Sequence, residues 1–191
     1  MLFTSYSPKP SKSASRTMAS QDGPLYMGLD LSTQQLKAVL ITSSLKVVHE
    51  AKVDFDADLS HYGIKHGVFH PAPSVVNAPV LMWIEALDLV ISRLKDGGAP
   101  LDRIAGVSGA GQQHGTVYWT AEGEKNLNAL SSKKGSLKEQ LKSAFAIETS
   151  PNWQDASTQK ECDALDALVG GSKQMAQITG SKSHHVSSHF C

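Results

Sequence analysis

The chain has 191 residues, with 18 Lys and Arg residues balanced by 18 Asp and Glu residues, which suits one domain of ordinary size with tails. Its zero formal charge excludes a global field that would attract nucleic acid or an anionic membrane, so a small molecule or a protein is the expected partner. The two cysteines form no disulfide framework, and no apolar run reaches the roughly 20 residues that cross a bilayer. We therefore expect a soluble protein of a reducing, cytoplasmic compartment.

The first 24 residues are rich in Ser, Lys and Pro and have no hydrophobic period. This composition predicts a disordered tail at residues 1–24. The Ser-rich, acid-poor character is also a weak feature of organelle transit peptides, but Arg is scarce.

Residues 26–41 read as two strands joined by a short polar turn, because apolar residues alternate on both sides of it. Successive N–H groups in such a turn, here Ser32 to Gln35, form a concavity that suits phosphate oxygens. Asp30 beside the turn suits hydrated magnesium. An ordinary hairpin, in which Asp30 and Ser32 only satisfy the turn, explains the stretch equally well.

The next segments extend this hairpin into an α/β domain. Residues 46–55 alternate as a third strand, residues 56–73 contain the breakers of a loop, and residues 74–95 carry helical spacing with Pro79 in the first turn. The apolar positions that define this helix are Val80, Ile84, Leu87, Ile91 and Leu94. Its polar face, which contains Glu85, Asp88 and Arg93, is predicted to be solvated. A further strand at residues 103–108 gives the opening of a ribonuclease H-like domain.

A glycine-rich stretch, residues 108–119, follows that strand. Its glycines remove bulk beside Gln112, Gln113 and His114, whose donors and acceptors suit a polyhydroxylated ligand. A glycine-rich bend with a histidine satisfied by the core is the favoured alternative for the stretch in isolation. The spacing is not that of a dinucleotide fingerprint, because another strand is predicted at residues 116–119 where a helix would be needed.

The remaining residues alternate loops and helices. A surface loop is predicted at residues 122–134 and a short helix from Leu137 to Phe145. Residues 150–165 read as a loop that enters a helix, capped by Asp155 or Ser157, and capping explains Asp155 as well as catalysis does. The tail carries His184, His185, His189 and Cys191, which a flexible tail explains better than a metal site.

Four ordered motifs carry a family resemblance. They are Gly28–Gln35, Pro79–Asp88, Ser108–Gly115, and Trp153–Thr158 with Thr179–Ser181. The chain resembles the eukaryotic D-xylulose kinases of the FGGY carbohydrate-kinase family, within the actin/hexokinase/Hsp70 superfamily, from about Tyr26 to Ser181. The resemblance implies an α/β fold, an incomplete ribonuclease H-like N-terminal domain, and transfer of the ATP γ-phosphoryl group to the 5-hydroxyl of D-xylulose with magnesium.

The resemblance also implies roles for individual residues on the nucleotide side. Asp30 matches the acidic residue of the first phosphate motif, where it supports catalysis by holding Mg through water. Ser32, Thr33 and Gln34 match the turn that approaches the phosphates. Such catalysis depends mainly on positioning and charge stabilisation.

On the sugar side, His114 matches a residue that contacts the sugar, and Gln113 lies beside it in the same motif. Asp155 matches the acidic position of a Trp-x-Asp segment near the sugar pocket. Because the formal charge is zero, neither nucleic acid nor a membrane is expected as a partner, and the oligomeric state stays open.

The chain departs from the family after Ser181, where Val186 stands at the position of a sugar-binding arginine. The general base, the adenosine motif and the second domain of the family have no counterpart, as in a truncated gene model, an unspliced intron or a frame change. We therefore divide the chain into a tail at 1–24, a partial FGGY kinase domain at 25–180 and a divergent tail at 181–191. It is expected not to phosphorylate D-xylulose by itself, and a non-catalytic product or binding module is the alternative.

Overall fold

The predicted hairpin lies at the centre of the main sheet in the computed structural model, which describes residues 23–185. The predicted tail lies outside the described residues except for its last two. The elements in chain order are β1 (Leu25–Leu31), β2 (Gln35–Thr42), β3 (Val47–Asp54), α1 (Phe55–Asp58), β4 (Phe69–Ala72), β5 (Val75–Pro79), α2 (Val80–Asp96), β6 (Ile104–Ala110), α3 (Ala121–Asn128), α4 (Leu137–Leu141), β7 (Thr149–Pro151), α5 (Gln159–Leu168) and α6 (Ser172–Thr179).

The main sheet has the strand order β3-β2-β1-β6. The first three strands are antiparallel, as predicted, and β6 returns parallel to β1 after the α2 crossover. Alternate residues of β2, namely Leu36, Ala38 and Leu40, are buried, because successive side chains of a strand point to opposite faces. The sheet thus buries one face under helix α2, and the carboxyl ends of β1 and β6 lie side by side.

Helix α2 is the principal cover of this sheet. Its buried residues include Met82, Ala86 and Val90, a spacing of four that places them on one face of the helix. Of the positions predicted to form the apolar face, Val80 and Leu94 are buried and the others are half-buried. The difference arises because Leu87 and Ile91 face the segment before α4, so the apolar surface of α2 is shared between two neighbours.

The predicted start of this helix was wrong by several residues. Residues Val75–Pro79 form strand β5, and the helix begins only at Val80. β-branched residues favour a strand, and the residue before a proline avoids helical backbone. The end of the helix is as predicted, because the Gly97 N–H donates to the Arg93 carbonyl at 3.0 Å.

Strand β5 is the middle of a second, antiparallel sheet with the order β4-β5-β7. The predicted loop at residues 56–73 therefore contains the short helix α1 and strand β4. Pairing of β7 with β5 brings residues 149–151 to residues 77–79. This second sheet carries the segment that follows β7 toward the end of strand β1.

The polar face of α2 is not solvated as predicted, because Glu85 accepts three side-chain hydrogen bonds. They come from the Tyr62 hydroxyl at 2.7 Å, the Lys138 ammonium at 2.6 Å and the His61 ring at 3.1 Å. Burial acts to raise the pKa of Glu85, but these three hydrogen bonds outweigh it and lower that pKa. Burial and the Glu85 carboxylate raise the pKa of Tyr62 to about 12. The cluster joins α2 to α4 and to the loop before β4.

Asp88 and Arg93 of the same face are also paired. The two Asp88 oxygens accept the backbone N–H groups of Leu137 and Lys138 at 2.9 and 3.0 Å, which fixes the start of α4. Arg93 binds the Asp58 carboxylate through two hydrogen bonds of 2.7 Å. These bonds hold the pKa of Asp58 below its ordinary value. The polar face of α2 is thus a docking surface for α1 and α4.

Three further predictions differ from the structure. Residues 116–119 form no strand, only an isolated bridge between Trp119 and Phe145. The predicted loop after Ala121 contains helix α3, whose first turn is capped by Thr120 through a 3.0 Å bond from the Gly123 N–H. Helix α4 ends at Leu141, so Phe145 lies beyond it.

No helix in the described part of the chain is long and apolar enough to cross a membrane.

Candidate functional site

An open cleft of about 470 Å³ lies at the carboxyl end of strand β1. Its lining comes from the hairpin turn, the glycine-rich segment after β6 and the segment after β7: Asp30, Leu31, Ser32, Thr33, Gly111, Gln112, Gln113, His114 and Trp153. The fold therefore brings together three segments that are far apart in the sequence. Five of the seven predicted site residues are in this lining, and Gln34 and Asp155 are not.

Asp30 enters the cleft because it lies near the end of β1, between Lys37 of β2 and Ala110 of β6. Its side chain is exposed. The following turn is closed by Ser32, whose N–H and hydroxyl both donate to the Gln35 carbonyl, at 3.0 and 3.1 Å. The result is a carboxylate beside a tight turn with hydroxyl-bearing residues.

Gln34 lies on the other side of this turn. Its carbonyl accepts the Phe55 N–H at 2.9 Å, and its side chain is exposed. The turn is thus tied to the start of α1, and Gln34 contributes backbone to this link.

The glycine-rich segment is anchored to the turn by Gln112. Its side-chain amide Nε2 donates to the Ser32 carbonyl at 2.8 Å, whereas its Oε1 is buried without a partner among the described residues. His114 is half-buried with a φ of 64°, a left-handed conformation that costs a residue with a Cβ about 1 kcal/mol or more. Such strained backbone persists only where neighbouring contacts hold it, which is common at functional sites.

Trp153 forms the third side of the cleft. Its indole Nε1 donates to the Thr33 hydroxyl at 3.2 Å, and the side chain remains 50% exposed. An aromatic ring with its polar atom already bonded presents an apolar surface to the cleft. Trp153 belongs to one of the four sequence motifs, but no role was predicted for it. A tryptophan in a polar loop could have indicated a ligand-contacting residue.

Asp155 lies behind the cleft and is only 5% exposed. Its carboxylate accepts the Val76 N–H at 2.7 Å and the Ser157 N–H at 3.0 Å, as well as the Ser157 hydroxyl. Helix α5 has Thr158 as its N-cap residue and no side-chain capping bond. The predicted capping by Asp155 or Ser157 is therefore wrong, since Asp155 instead joins the segment after β7 to strand β5.

The cleft lining in the described part of the chain offers oxygen donors and no Lys or Arg side chain. Residues 23–185 hold no group of three or more His, Cys, Asp or Glu side chains arranged for a metal ion. Magnesium keeps several waters and usually takes one or two carboxylates together with substrate phosphates. A single exposed Asp30 beside the Ser32 and Thr33 hydroxyls fits that mode of binding and does not fit an all-protein cage.

The histidines of the tail form no such metal group in the part that is described. His185 Nδ1 lies 2.8 Å from the Gln159 side-chain oxygen, and the His184 and His185 rings pack at 4.6 Å. The other two residues of the predicted alternative, His189 and Cys191, lie outside the described residues.

No family model matches the chain. A probable D-xylulose kinase A of Aspergillus clavatus is 56% identical over 169 residues, which is 88% of this chain and 29% of the relative. The chain is therefore similar in sequence to a part of the D-xylulose kinases. It spans less than a third of the length of this relative, and the predicted similarity to a D-xylulose kinase is confirmed for that portion.

Solved structures agree on the fold. A xyloylose kinase from Brucella ovis matches with a TM-score of 0.61 at 23% identity, over 85% of this chain and 27% of that one. A glycerol kinase from Plasmodium falciparum with ADP matches with a TM-score of 0.52 at 12% identity, over 87% and 27%. The chain therefore has the mixed α/β fold of part of these sugar kinases, as predicted.

Proposed function

We propose that this chain supplies the phosphate turn and one side of the sugar site of an enzyme that converts D-xylulose and ATP to D-xylulose 5-phosphate and ADP. The observation that carries the proposal is the single cleft in which Asp30 and the Ser32–Thr33 turn face Gln113 and His114. The 56% identity to a probable D-xylulose kinase supports the choice of sugar. A cytoplasmic location belongs to the proposal and is supported by the two-cysteine composition.

The roles follow from the chemistry of each side chain. The Asp30 carboxylate holds a hydrated magnesium ion, and the turn from Ser32 to Gln34 approaches the phosphate oxygens. His114 and Gln113 hydrogen-bond sugar hydroxyls and hold the acceptor near the end of β1. Magnesium and ATP, when bound, supply charge neutralisation and the transferable phosphoryl group. The residues of this chain contribute positioning, which is the main part of catalysis in phosphoryl transfer.

A non-catalytic role is the second candidate, and the residues that line the cleft support it. The described lining holds one carboxylate, Asp30, and no cationic side chain, whereas phosphoryl transfer needs nucleotide and acceptor held in line with compensating charge. We propose that residues 1–191 alone bind ligands weakly and do not turn over. Sustained ADP release that needs D-xylulose and disappears in Asp30→Ala would contradict this part of the proposal.

The proposed ligand roles are tested by chemical-shift titration of the ¹⁵N-labelled chain. Magnesium ATP at millimolar concentration is expected to shift the amides of Ser32 to Gln34, and D-xylulose those of Gln113 and His114. Asp30→Ala should remove the nucleotide response and keep the sugar response, and His114→Ala should do the reverse. Glu122→Ala, on the exposed face of α3, is the control and should change neither. Equal loss of both responses in either site variant would refute the division into two subsites.

A further inference from the structure

A tight loop tip packs, from outside the cleft, against the turn of residues 32–35, which we call the phosphate turn. Lys65 and Val68 pair through backbone bonds of 2.8 and 3.3 Å, so His66 and Gly67 form the tip between them. Both tip residues have positive φ, 55° and 77°. Val68 is 2% exposed, which fixes the base of the tip in the hydrophobic core.

The contact between the tip and the turn admits only glycine. A Cβ atom built on Gly67 would lie 1.9 Å from the Thr33 carbonyl oxygen and 3.1 Å from the Gln34 Cα. Real Cβ atoms do not approach a backbone oxygen so closely, and Thr33 cannot yield without moving the turn. The backbone of Gly67 is therefore packed directly against the segment that lines the cleft.

Asp56 holds the tip in this position. One carboxylate oxygen accepts the His66 N–H at 2.6 Å, and the other accepts the Gly67 N–H at 2.8 Å. Hydrogen bonds to an ionised carboxylate are about twice as strong as neutral ones, and they offset the left-handed backbone at His66. Asp56 lies in α1, directly after Phe55, whose N–H binds the Gln34 carbonyl at 2.9 Å. The tip and the turn thus share one support.

We propose that Asp56 and Gly67 are positioning residues that fix the conformation of the phosphate turn, and we call this contact the tip clamp. Neither residue lines the cleft, so the tip clamp acts through Thr33 and Gln34. The functional part of this inference, an effect on nucleotide binding, rests on the proposed function. The structural part, an effect on the turn itself, stands without it.

The test compares Gly67→Ala with Gly63→Ala in the ¹⁵N-labelled chain. Gly63 lies in the same loop with a φ of 68°, and a Cβ built on it meets nothing within 4 Å, so both variants carry the same backbone strain and only one reaches the turn. Without ligand, Gly67→Ala should shift the Thr33 and Gln34 amides. It should also speed at least tenfold the hydrogen exchange of the Ser32 and Phe55 amides, which donate to the Gln35 and Gln34 carbonyls of the turn, and change the emission of Trp153, whose indole donates to the Thr33 hydroxyl. Gly63→Ala should leave all three unchanged.

Asp56→Asn is the second variant, read in the same way if Gly67→Ala does not fold. An amide keeps one acceptor oxygen and loses the other, so turn amides should exchange faster by a smaller factor than in Gly67→Ala. A folded Gly67→Ala or Asp56→Asn chain with turn amides identical to those of Gly63→Ala would overturn the tip clamp.

Ligand titrations separate this inference from the proposed function. Gly67→Ala should weaken the response to magnesium ATP at least tenfold and leave the response to D-xylulose at His114 intact. If ATP fails to shift the turn in the unmodified chain while Gly67→Ala still loosens it, the nucleotide assignment fails and the structural tip clamp survives. If ATP binds equally to both glycine variants, the functional part of the tip clamp is wrong.

Discussion

Replacement of Asp155 by alanine tests whether this carboxylate supports the fold or binds the ligand. The substitution removes the acceptor of the buried Val76 N–H and of the Ser157 N–H and hydroxyl. A hydrogen bond to a charged group contributes about 1.5 to 3 kcal/mol, and a buried N–H left without a partner costs about 1 to 3 kcal/mol. The two figures describe partly the same lost interaction, so they are not added. We expect a loss of about 3 kcal/mol in the free energy of unfolding.

The expected loss is large enough to measure by thermal and urea denaturation. For a chain of this size each kcal/mol corresponds to about 2–4 °C, so Tm should fall by about 6–12 °C. Asp163→Ala is the matched control, since Asp163 is exposed on α5 and accepts one bond, from Gln159 Nε2 at 2.8 Å. It should change stability by no more than about 0.5 kcal/mol.

The opposite pattern would refute the structural reasoning. If Asp155→Ala unfolds at the same urea concentration as Asp163→Ala while the D-xylulose response at Gln113 and His114 disappears, Asp155 is a ligand-binding group. The family resemblance, which placed Asp155 near the sugar pocket, would then be correct, and the structural role inferred from its hydrogen bonds would be wrong.

Three other predictions concern pH and catalysis. Burial acts to raise the pKa of Glu85, but hydrogen bonds from Lys138, Tyr62 and His61 outweigh it and lower that pKa in the folded chain. The contribution of Glu85 to stability is therefore present above the ordinary pKa of 4.5 and is lost as pH falls below that value. Glu85→Gln should flatten this acid dependence in urea denaturation between about pH 3 and pH 7. In an enzyme that spans the full length of the relatives, His114→Ala should raise the KM for D-xylulose through a loss of about 0.5 to 1.5 kcal/mol, and steady-state kinetics identical to the parent enzyme would exclude a sugar contact. In the same enzyme, Asp30→Asn should lose turnover and keep sugar affinity by calorimetry, whereas a collapse of that affinity would place Asp30 in the wrong subsite.

Local patterns were sufficient to predict the centre of the fold. Alternation around residues 32–35 gave the hairpin, and the glycines at 97 and 98 gave the end of α2. The boundary between β5 and α2 was missed because Pro79 is compatible both with the first turn of a helix and with the end of a strand. Helix α3 was missed because its sequence is polar, although Thr120 was a readable N-cap signal.

Sequence motifs named five of the residues that line the cleft, but they gave no signal for the contacts that support it. Asp30, Ser32, Thr33, Gln113 and His114 were named from motifs, and the fold brings them into one cleft. The Gln112 bond to the Ser32 carbonyl and the approach of Gly67 to Thr33 join residues that are 80 and 34 positions apart. Such contacts depend on tertiary packing, so neither periodicity nor turn chemistry contains a signal for them.

Strand β6 ends the main sheet of the described residues. Its register with β1 shifts between Ile104 and Gly106, but it lacks the charges and prolines that commonly protect such an edge. The segment Ile104-Ala-Gly-Val-Ser-Gly-Ala110 has no charge and no proline, and Val107 is 63% exposed. Exposed edges of this kind act as templates for another strand. An incoming strand would gain a row of backbone hydrogen bonds and cover Val107 in the same step. Residues 104–110 therefore offer an uncharged edge on which another strand can pair, and self-association through this edge would increase with protein concentration.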